Sequence, residues 1–211
     1  MNREILIIAD IHGNFVCEKI KKILQERNIS EIFVLGDFSS HRNIGSLENI
    51  ENFLNVLALH AKIYAIPGNC DSREILKIFA RFKANEHNKT RNVEGIDADF
   101  IFFGGSNITP FGTPFEYEED EIYENLKKLF DRAKSDRKIL LTHCSPLNTK
   151  CDIANTLHVG SSAIRKIIEE FQPEINLCSH VHESYGKEDF IEKTKIVNVG
   201  ELKRGCGILK F

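Results

Sequence analysis

The 211-residue sequence predicts an α/β fold in one domain over residues 1–211, on three observations. Short runs of Ile, Leu, Val and Phe alternate with segments of helical periodicity. Asp, Asn and His stand directly after several of those runs. The C-terminal stretch consists of short β segments alone, and no internal repeat, low-complexity tract or linker interrupts the chain.

Glu4 to Ala9 is nearly all apolar, as a strand covered on both faces is. Gly13 to Asn28 follows with Ile20, Ile23 and Leu24 at helical spacing. Glu31 to Leu35 reads as the next strand and Ser46 to His60 as the next helix, with Leu47, Ile50, Leu54 and Leu57 along one side. Lys62 to Ile66 is a third strand, stopped by Pro67-Gly68. Ser72 is placed as the N-cap of a helix carrying Ile75, Leu76 and Phe79. Lys83 to Asp97 is polar and accommodates one short strand. Asp99 to Phe103 is a strand that opens into a Gly-Gly turn and a proline-bearing loop. Glu118 to Ala133 is a helix whose acidic first turn suits the helix dipole. A strand over Lys138 to Thr142, a helix over Ser161 to Phe171 and a strand over Glu174 to Cys178 come next. Three β segments finish the chain, Tyr185 to Ile191, Lys195 to Val199 and Gly205 to Lys210.

Composition excludes several function classes. No apolar run approaches the roughly 20 residues of a membrane span, and the first apolar run is too short for a signal peptide. The net charge is −3, from 28 Lys and Arg against 31 Asp and Glu, which is not the footprint of a general nucleic-acid binder. Six cysteines without a CxxC pair argue against a structural zinc knuckle and for reduced thiols in a cytoplasmic protein.

The chemistry collects after the strands. Asp10-Ile11-His12 follows the first, Gly36-Asp37 the second, and Gly68-Asn69-Cys70-Asp71 the third. His143 follows Lys138 to Thr142, and His180-Val181-His182 follows Glu174 to Cys178. In α/β sheets the carboxyl edge of the strands is where ligands bind, so these distant residues are expected on one rim.

This series resembles the calcineurin-like metallophosphoesterase superfamily, from Asp10 to His182. Its run from His143 through Gly160-Ser161 to Ser179-His180-Val181-His182 is similar to an archaeal Icc-like phosphoesterase subgroup. The resemblance implies a four-layer α/β/β/α sandwich with two divalent metal ions above it. It implies Asp10, His12 and His182 on one ion, Asn69, His143 and His180 on the other, and Asp37 bridging both. Two carboxylates and five neutral ligands leave such a centre near +2, or about +1 with a bound hydroxide, so it attracts phosphate. Mixed nitrogen and oxygen ligation suits manganese first, with iron, zinc, nickel or magnesium as alternatives. The implied reaction is hydrolysis of a phosphate ester, a phosphodiester first, by in-line attack of a hydroxide held between the metals.

Many relatives read GNH(D/E) where this chain has Cys70, and some carry GDxxDR where it has Ser40 and His41. Both halves of an Asp–His dyad are therefore absent from their usual places, which makes a phosphoprotein phosphatase the weaker expectation. His41 and His158 are the candidate replacements at the scissile phosphate, and the amides opening the helix after His158 are a further phosphate-holding candidate. Cys70 reads as a packed thiol beside the site rather than a nucleophile, and Asp71 as an acceptor behind it or a helix cap. Ser179 replaces a glycine of relatives, a mild change unless the position needs a positive φ. Asn107 and the loop to Tyr117 are expected to line the pocket, with Phe111 and Phe115 as base-stacking candidates. His60 and His87 match no motif. Substrate contacts are thus expected at Asn69, Cys70, Asn107 and His158.

The competing functions are a phosphomonoesterase or protein phosphatase, and a phosphate-binding or scaffold protein on the same fold. All seven expected ligand positions are filled, which favours an enzyme over a scaffold. The expected partner is a small phosphoester, without membrane binding, and edge strands near the C-terminus leave room for a homo-oligomer.

Overall fold

Strands that are apolar on both faces must be covered twice, and the alternation of their side chains shows by what. The computed structural model describes residues 3–15, 18–40 and 46–211. Along the chain these form β1 (Glu4–Ile8), α1 (Glu18–Glu26), β2 (Ile29–Leu35), α2 (Leu47–Ala58), β3 (Lys62–Ile66) and α3 (Ile75–Arg81). The second half holds β4 (Lys89–Asn92), β5 (Asp99–Phe103), β6 (Ser106–Asn107), β7 (Glu116–Tyr117), α4 (Glu119–Arg132) and β8 (Lys138–Thr142). It continues with β9 (Ile153–Ala154), β10 (Leu157–His158), α5 (Ser162–Phe171), β11 (Ile175–Cys178), β12 (Glu188–Ile191), β13 (Thr194–Asn198) and β14 (Gly207–Lys210).

Two large sheets result, ordered β14-β1-β2-β3 and β12-β13-β11-β8-β5-β4. Strands β1, β2 and β3 run parallel, as do β5, β8, β11 and β13. Leu6, Ile8, Ile32 and Val34 pack outward on α1, α2 and α3 through Ile20, Leu54 and Phe79. Their neighbours Ile5, Ile7, Phe33 and Leu35 point inward against Phe100, Phe102, Ile139 and Leu141 of the second sheet. Phe33 meets Phe100 and Phe102 edge-on at 5.3 Å in each case, a favoured aromatic geometry. Ile101, Phe103 and Leu140 face the other way, onto Leu126 and Phe130 of α4 and Ile164 and Ile168 of α5. Three apolar seams between four layers make the fold an α/β/β/α sandwich, as the sequence resemblance implies. No helix among the described residues is long and apolar enough to cross a membrane.

The strands expected from Tyr185 and Gly205 begin later, at Glu188 and Gly207, and three further boundaries differ for local reasons. The helix expected from Gly13 opens at Glu18, because His12 and Gly13 take left-handed backbone and the Gly13 amide donates to Phe38. Ser72 is not a side-chain cap: its carbonyl accepts from the Ile75 amide in a turn, and α3 starts one residue after Glu74. Strand β2 begins at Ile29, two residues early, since Ile29 pairs with Glu4.

Ser46 and Ser161 do cap their helices, accepting from Asn49 and Ile164. The amides that open α5 are not free for phosphate, however. Glu119, at the head of α4, accepts from the Ser162 and Ala163 amides at 3.2 and 2.8 Å and from the Ser161 hydroxyl at 2.6 Å. A protein carboxylate already fills the anion-binding end of this helix, which corrects the expectation of a phosphate site there.

Candidate metal centre

The parallel strands β1, β2, β3, β8 and β11 all end on one rim, and each candidate ligand sits in the loop that follows its strand. Backbone hydrogen bonds bind these loops together: Asp10 N–H to Gly36 O, His12 N–H to Asp37 O, and Ser179 N–H to His143 O. Asp10, His12, Asp37 and His180 have φ of 47°, 47°, 52° and 69°, in the left-handed region. Each such turn costs a non-glycine residue about 1–3 kcal/mol, and this concentration falls on the candidate ligands. Ser179 has no positive φ, so serine is tolerated where relatives have glycine.

Two glycines let the loops meet. A β-carbon on Gly36 would run into the Gly68 backbone, and one on Gly68 would overlap the Asp37 amide nitrogen and Oδ1. Asp71, fully buried, ties the same two loops by accepting from the Ser39 and Gly68 amides, both at 2.9 Å. It is an acceptor behind the site, and not the cap of α3.

The seven predicted side chains come together. Ligand atoms of Asp10, His12 and His182 lie within 4.8 Å of one another, as do those of Asp37, His143 and His180. Asp37 Oδ2 stands 3.7 Å from His12 Nε2 and 3.6 Å from His143 Nε2, between the two groups. Asn69 Oδ1 is 3.0 Å from His143 Nε2 and 2.8 Å from His180 Nδ1. Cys70 forms a third close set with His12 and Asp37, and its amide donates to Asp37 Oδ1 at 2.8 Å. His41 lies outside the described residues.

The donor set fits a cation. His143 Nδ1 donates to Leu35 O at 2.7 Å, which leaves a lone pair on Nε2. Asn69 Nδ2 donates to Thr113 Oγ1 at 2.9 Å, whose hydroxyl in turn donates to Glu116, so Asn69 Oδ1 faces the imidazole. Two acceptors thus oppose each other at hydrogen-bond distance with no proton between them, an arrangement that a metal ion relieves. His12 Nδ1, 3.0 Å from Ser39 O, leaves its Nε2 to the site in the same way.

The charges suit metal binding as well. Burial, then the field of Asp37, pushes the Asp10 carboxyl well above its ordinary value. Burial also works to raise Asp37, but His143, His12 and His180 together hold it below the usual carboxylate range. Burial, reinforced by His143, lowers His180 to about 3, and burial lowers His143 and His182 too. At neutral pH these imidazoles are neutral and offer lone pairs. Burial pushes the Cys70 thiol up, so it keeps its proton.

The profile of the calcineurin-like phosphoesterase family matches residues 3–184 of this chain. The chain belongs to that family. A calcineurin-like phosphoesterase hydrolyses phosphoesters with divalent metal ions, and this one carries matching clusters of candidate ligands. The phosphoesterase is 38% identical over 187 residues to the uncharacterized protein MJ1162 of Methanocaldococcus jannaschii, covering 86% of this chain and 81% of that one. Its fold resembles TT1561 of Thermus thermophilus, with a TM-score of 0.73 at 18% identity over 100% of this chain and 99% of the other. It also resembles phosphopantetheinyl hydrolase of Mycobacterium tuberculosis, with a TM-score of 0.63 at 13% identity, covering 96% and 91%.

Beside the centre lies a cleft of about 550 Å³ between the loop 107–111 and the β9–β10 hairpin. Phe111 and His180 line both this cleft and the hollow over the candidate ligands, so the two spaces adjoin. Asn107 and His158 line the cleft, as expected of pocket residues. Phe111 is 70% exposed, whereas Phe115 is fully buried, packed on His87 and Tyr117, and so cannot stack on a base. His87 supports the fold: its Nδ1 accepts from the Gly104 amide and its Nε2 pairs with the Tyr117 hydroxyl, which fixes the loop's root.

Ser179, Thr113 and Glu116 hold candidate ligands in place, a role the sequence reading does not give them. Ser179 Oγ donates to Asp10 Oδ1 at 3.2 Å, and the His180 amide donates to Asp10 Oδ2. Ser179→Ala is therefore expected to weaken metal binding about tenfold without altering the fold. Competition with a chelator measures this, and an unchanged affinity would show that the hydroxyl does not steer Asp10.

Proposed function

We propose that this phosphoesterase hydrolyses a phosphodiester at a pair of divalent cations, manganese first. One observation carries the reading: a single buried carboxylate, Asp37, stands between two groups of ligand atoms drawn from the loops of both sheets. On this reading Asp10, His12 and His182 hold one ion, Asn69, His143 and His180 the other, and Asp37 spans both. Bound there, the ions supply Lewis acidity and an activated water.

The chain's own residues set the geometry. The Cys70 amide fixes one oxygen of Asp37 and leaves the other to the ligand nitrogens. Glu116 and Thr113 hold the Asn69 carbonyl toward His143 and His180. Asn107 accepts from the Cys144 thiol through Oδ1 at 3.1 Å, which leaves its amide hydrogens as donors for a phosphoryl oxygen. Cys70, protonated and beside a carboxylate, is not the nucleophile.

The test is chelation followed by reloading with Mn²⁺ and assay of bis(4-nitrophenyl) phosphate against 4-nitrophenyl phosphate. The expected result is metal-dependent turnover, with kcat/KM for the diester at least about tenfold higher, a difference of about 1.4 kcal/mol in the barrier. Faster turnover of the monoester would overturn the diester assignment, and metal-independent turnover would overturn the centre.

A further inference from the structure

We infer that His158, clamped by the buried Asp152, donates the proton to the leaving oxygen, and that the apolar cleft beside the centre seats the organic group which departs with that oxygen. The inference rests on the metal-centre reading above and adds to it a substrate class: phosphodiesters whose leaving group is a hydrophobic alcohol.

Three observations carry it. First, Asp152 is fully buried and anchored by the amides of Asn148, Thr149 and Gly160, at 3.1, 2.8 and 3.1 Å. A carboxylate held by three backbone donors cannot swing, and it receives His158 Nδ1 at 2.7 Å. That bond sets the orientation of the ring and leaves Nε2 as its working atom. Second, the His158 side chain is 42% exposed and lines the cleft, which shares Phe111 and His180 with the hollow over the candidate ligands. Third, the remaining walls of the cleft are mostly apolar. Ile108, Phe111, Leu157 and Val159 are exposed large hydrophobic residues that all line this one space. Only His158, His180 and Glu183 among its lining residues carry titratable side chains. His180 is already placed as a metal ligand, and the carboxylate of Glu183 is the wrong sign to approach a phosphate. His158 remains as the donor, and a volume of about 550 Å³ admits an aromatic or branched aliphatic group.

The step balances without a further reagent. Water adds its oxygen to phosphorus and gives up a proton to solvent. The bond from phosphorus to the ester oxygen breaks, its electron pair staying on that oxygen. In this step His158 starts with a proton on each ring nitrogen: the one on Nε2 passes to the oxygen and forms the neutral alcohol, the one on Nδ1 stays on the bond to Asp152, and Nε2 then regains a proton from solvent. Asp152 is a positioning residue in this scheme, since it acts only through the ring.

Two diesters test it on the Mn²⁺-loaded protein: one losing 4-nitrophenol, which leaves readily without a proton, and one losing benzyl alcohol, which does not. His158→Ala is expected to lower kcat for the benzyl ester about 100-fold more than for the nitrophenyl ester, within the usual range for a lost general acid. Added imidazole is expected to restore part of the benzyl activity. Leu157→Asn, uncharged and at a position 67% exposed and therefore tolerant, is expected to raise KM for the benzyl ester about tenfold with little change for a dimethyl ester. Equal losses on both esters in His158→Ala would overturn the proton donor, and an unchanged KM for the benzyl ester in Leu157→Asn would overturn the leaving-group site. An unaltered protein inactive even on the nitrophenyl ester would instead overturn the metal-centre reading, and this inference with it.

Discussion

Asp37→Asn is expected to lower kcat for a diester by roughly 10³-fold, about 4 kcal/mol of barrier, and to reduce the bound metal per chain. The size of the effect follows from position. A single Asp37 oxygen faces ligand nitrogens of both groups, with Oδ2 3.7 Å from His12 Nε2 and 3.6 Å from His143 Nε2. An amide keeps the shape and the Cys70 contact but loses the negative charge that, on the proposed reading, two cations would share. It also presents an NH₂ group that cannot ligate. Metal content by atomic emission, measured on the same sample as kcat, separates a lost ion from a misplaced one. Full turnover in this variant would contradict the shared-carboxylate arrangement.

Gly68→Ala is expected to be as damaging, by a different route. Gly68 lies face to face with Asp37, and the new methyl group would occupy the space of the Asp37 amide nitrogen and carboxylate. The neighbouring atom is backbone, pinned by β2 and by the Asp71 bridge between the Ser39 and Gly68 amides, so it cannot give way cheaply. Such overpacking costs about 3 kcal/mol, which in a domain of this size lowers Tm by about 6–12 °C. Thermal melts of the chelated protein read the fold, and reloading with metal reads the site. A variant that melts normally and binds metal normally would show that these two loops are free to part.

Strands and ligand loops are legible in the sequence because both are local patterns. Ile5 to Ala9, Ile32 to Leu35 and Ile139 to Leu141 announce covered strands by composition, and Asp10, Asp37 and His143 stand in the loops directly after them. What no window of sequence displays is which distant group occupies a given place. Glu119 closes the head of α5 from 42 residues before Ser161, so amides that look available for phosphate are already taken. Phe111 and Phe115 are equivalent as letters four apart, yet one lies on the surface and the other under His87 and Tyr117. The start of α1 escapes the pattern for a related reason: helical spacing reads through Gly13, but the left-handed turn that aims His12 at the centre ends helix geometry there. Ser179 shows the opposite case, since it adjoins His180 in the chain and its hydroxyl is a readable donor for a rim carboxylate.

The cleft walls differ in construction from the rim beside them. The ligand loops grow from parallel strands sealed between two apolar seams, whereas the walls hang on two-residue ladders, β6 with β7 and β9 with β10, that belong to neither large sheet. Exchanges at the cleft-facing residues 108–111 and 154–157 therefore leave the main scaffold, and the supports Thr113, Glu116 and His158, untouched. On the proposed reading, selection can retune which alcohol is accepted while the metal ligands stay constant, so descendants of such a protein would diverge in taste sooner than in trade.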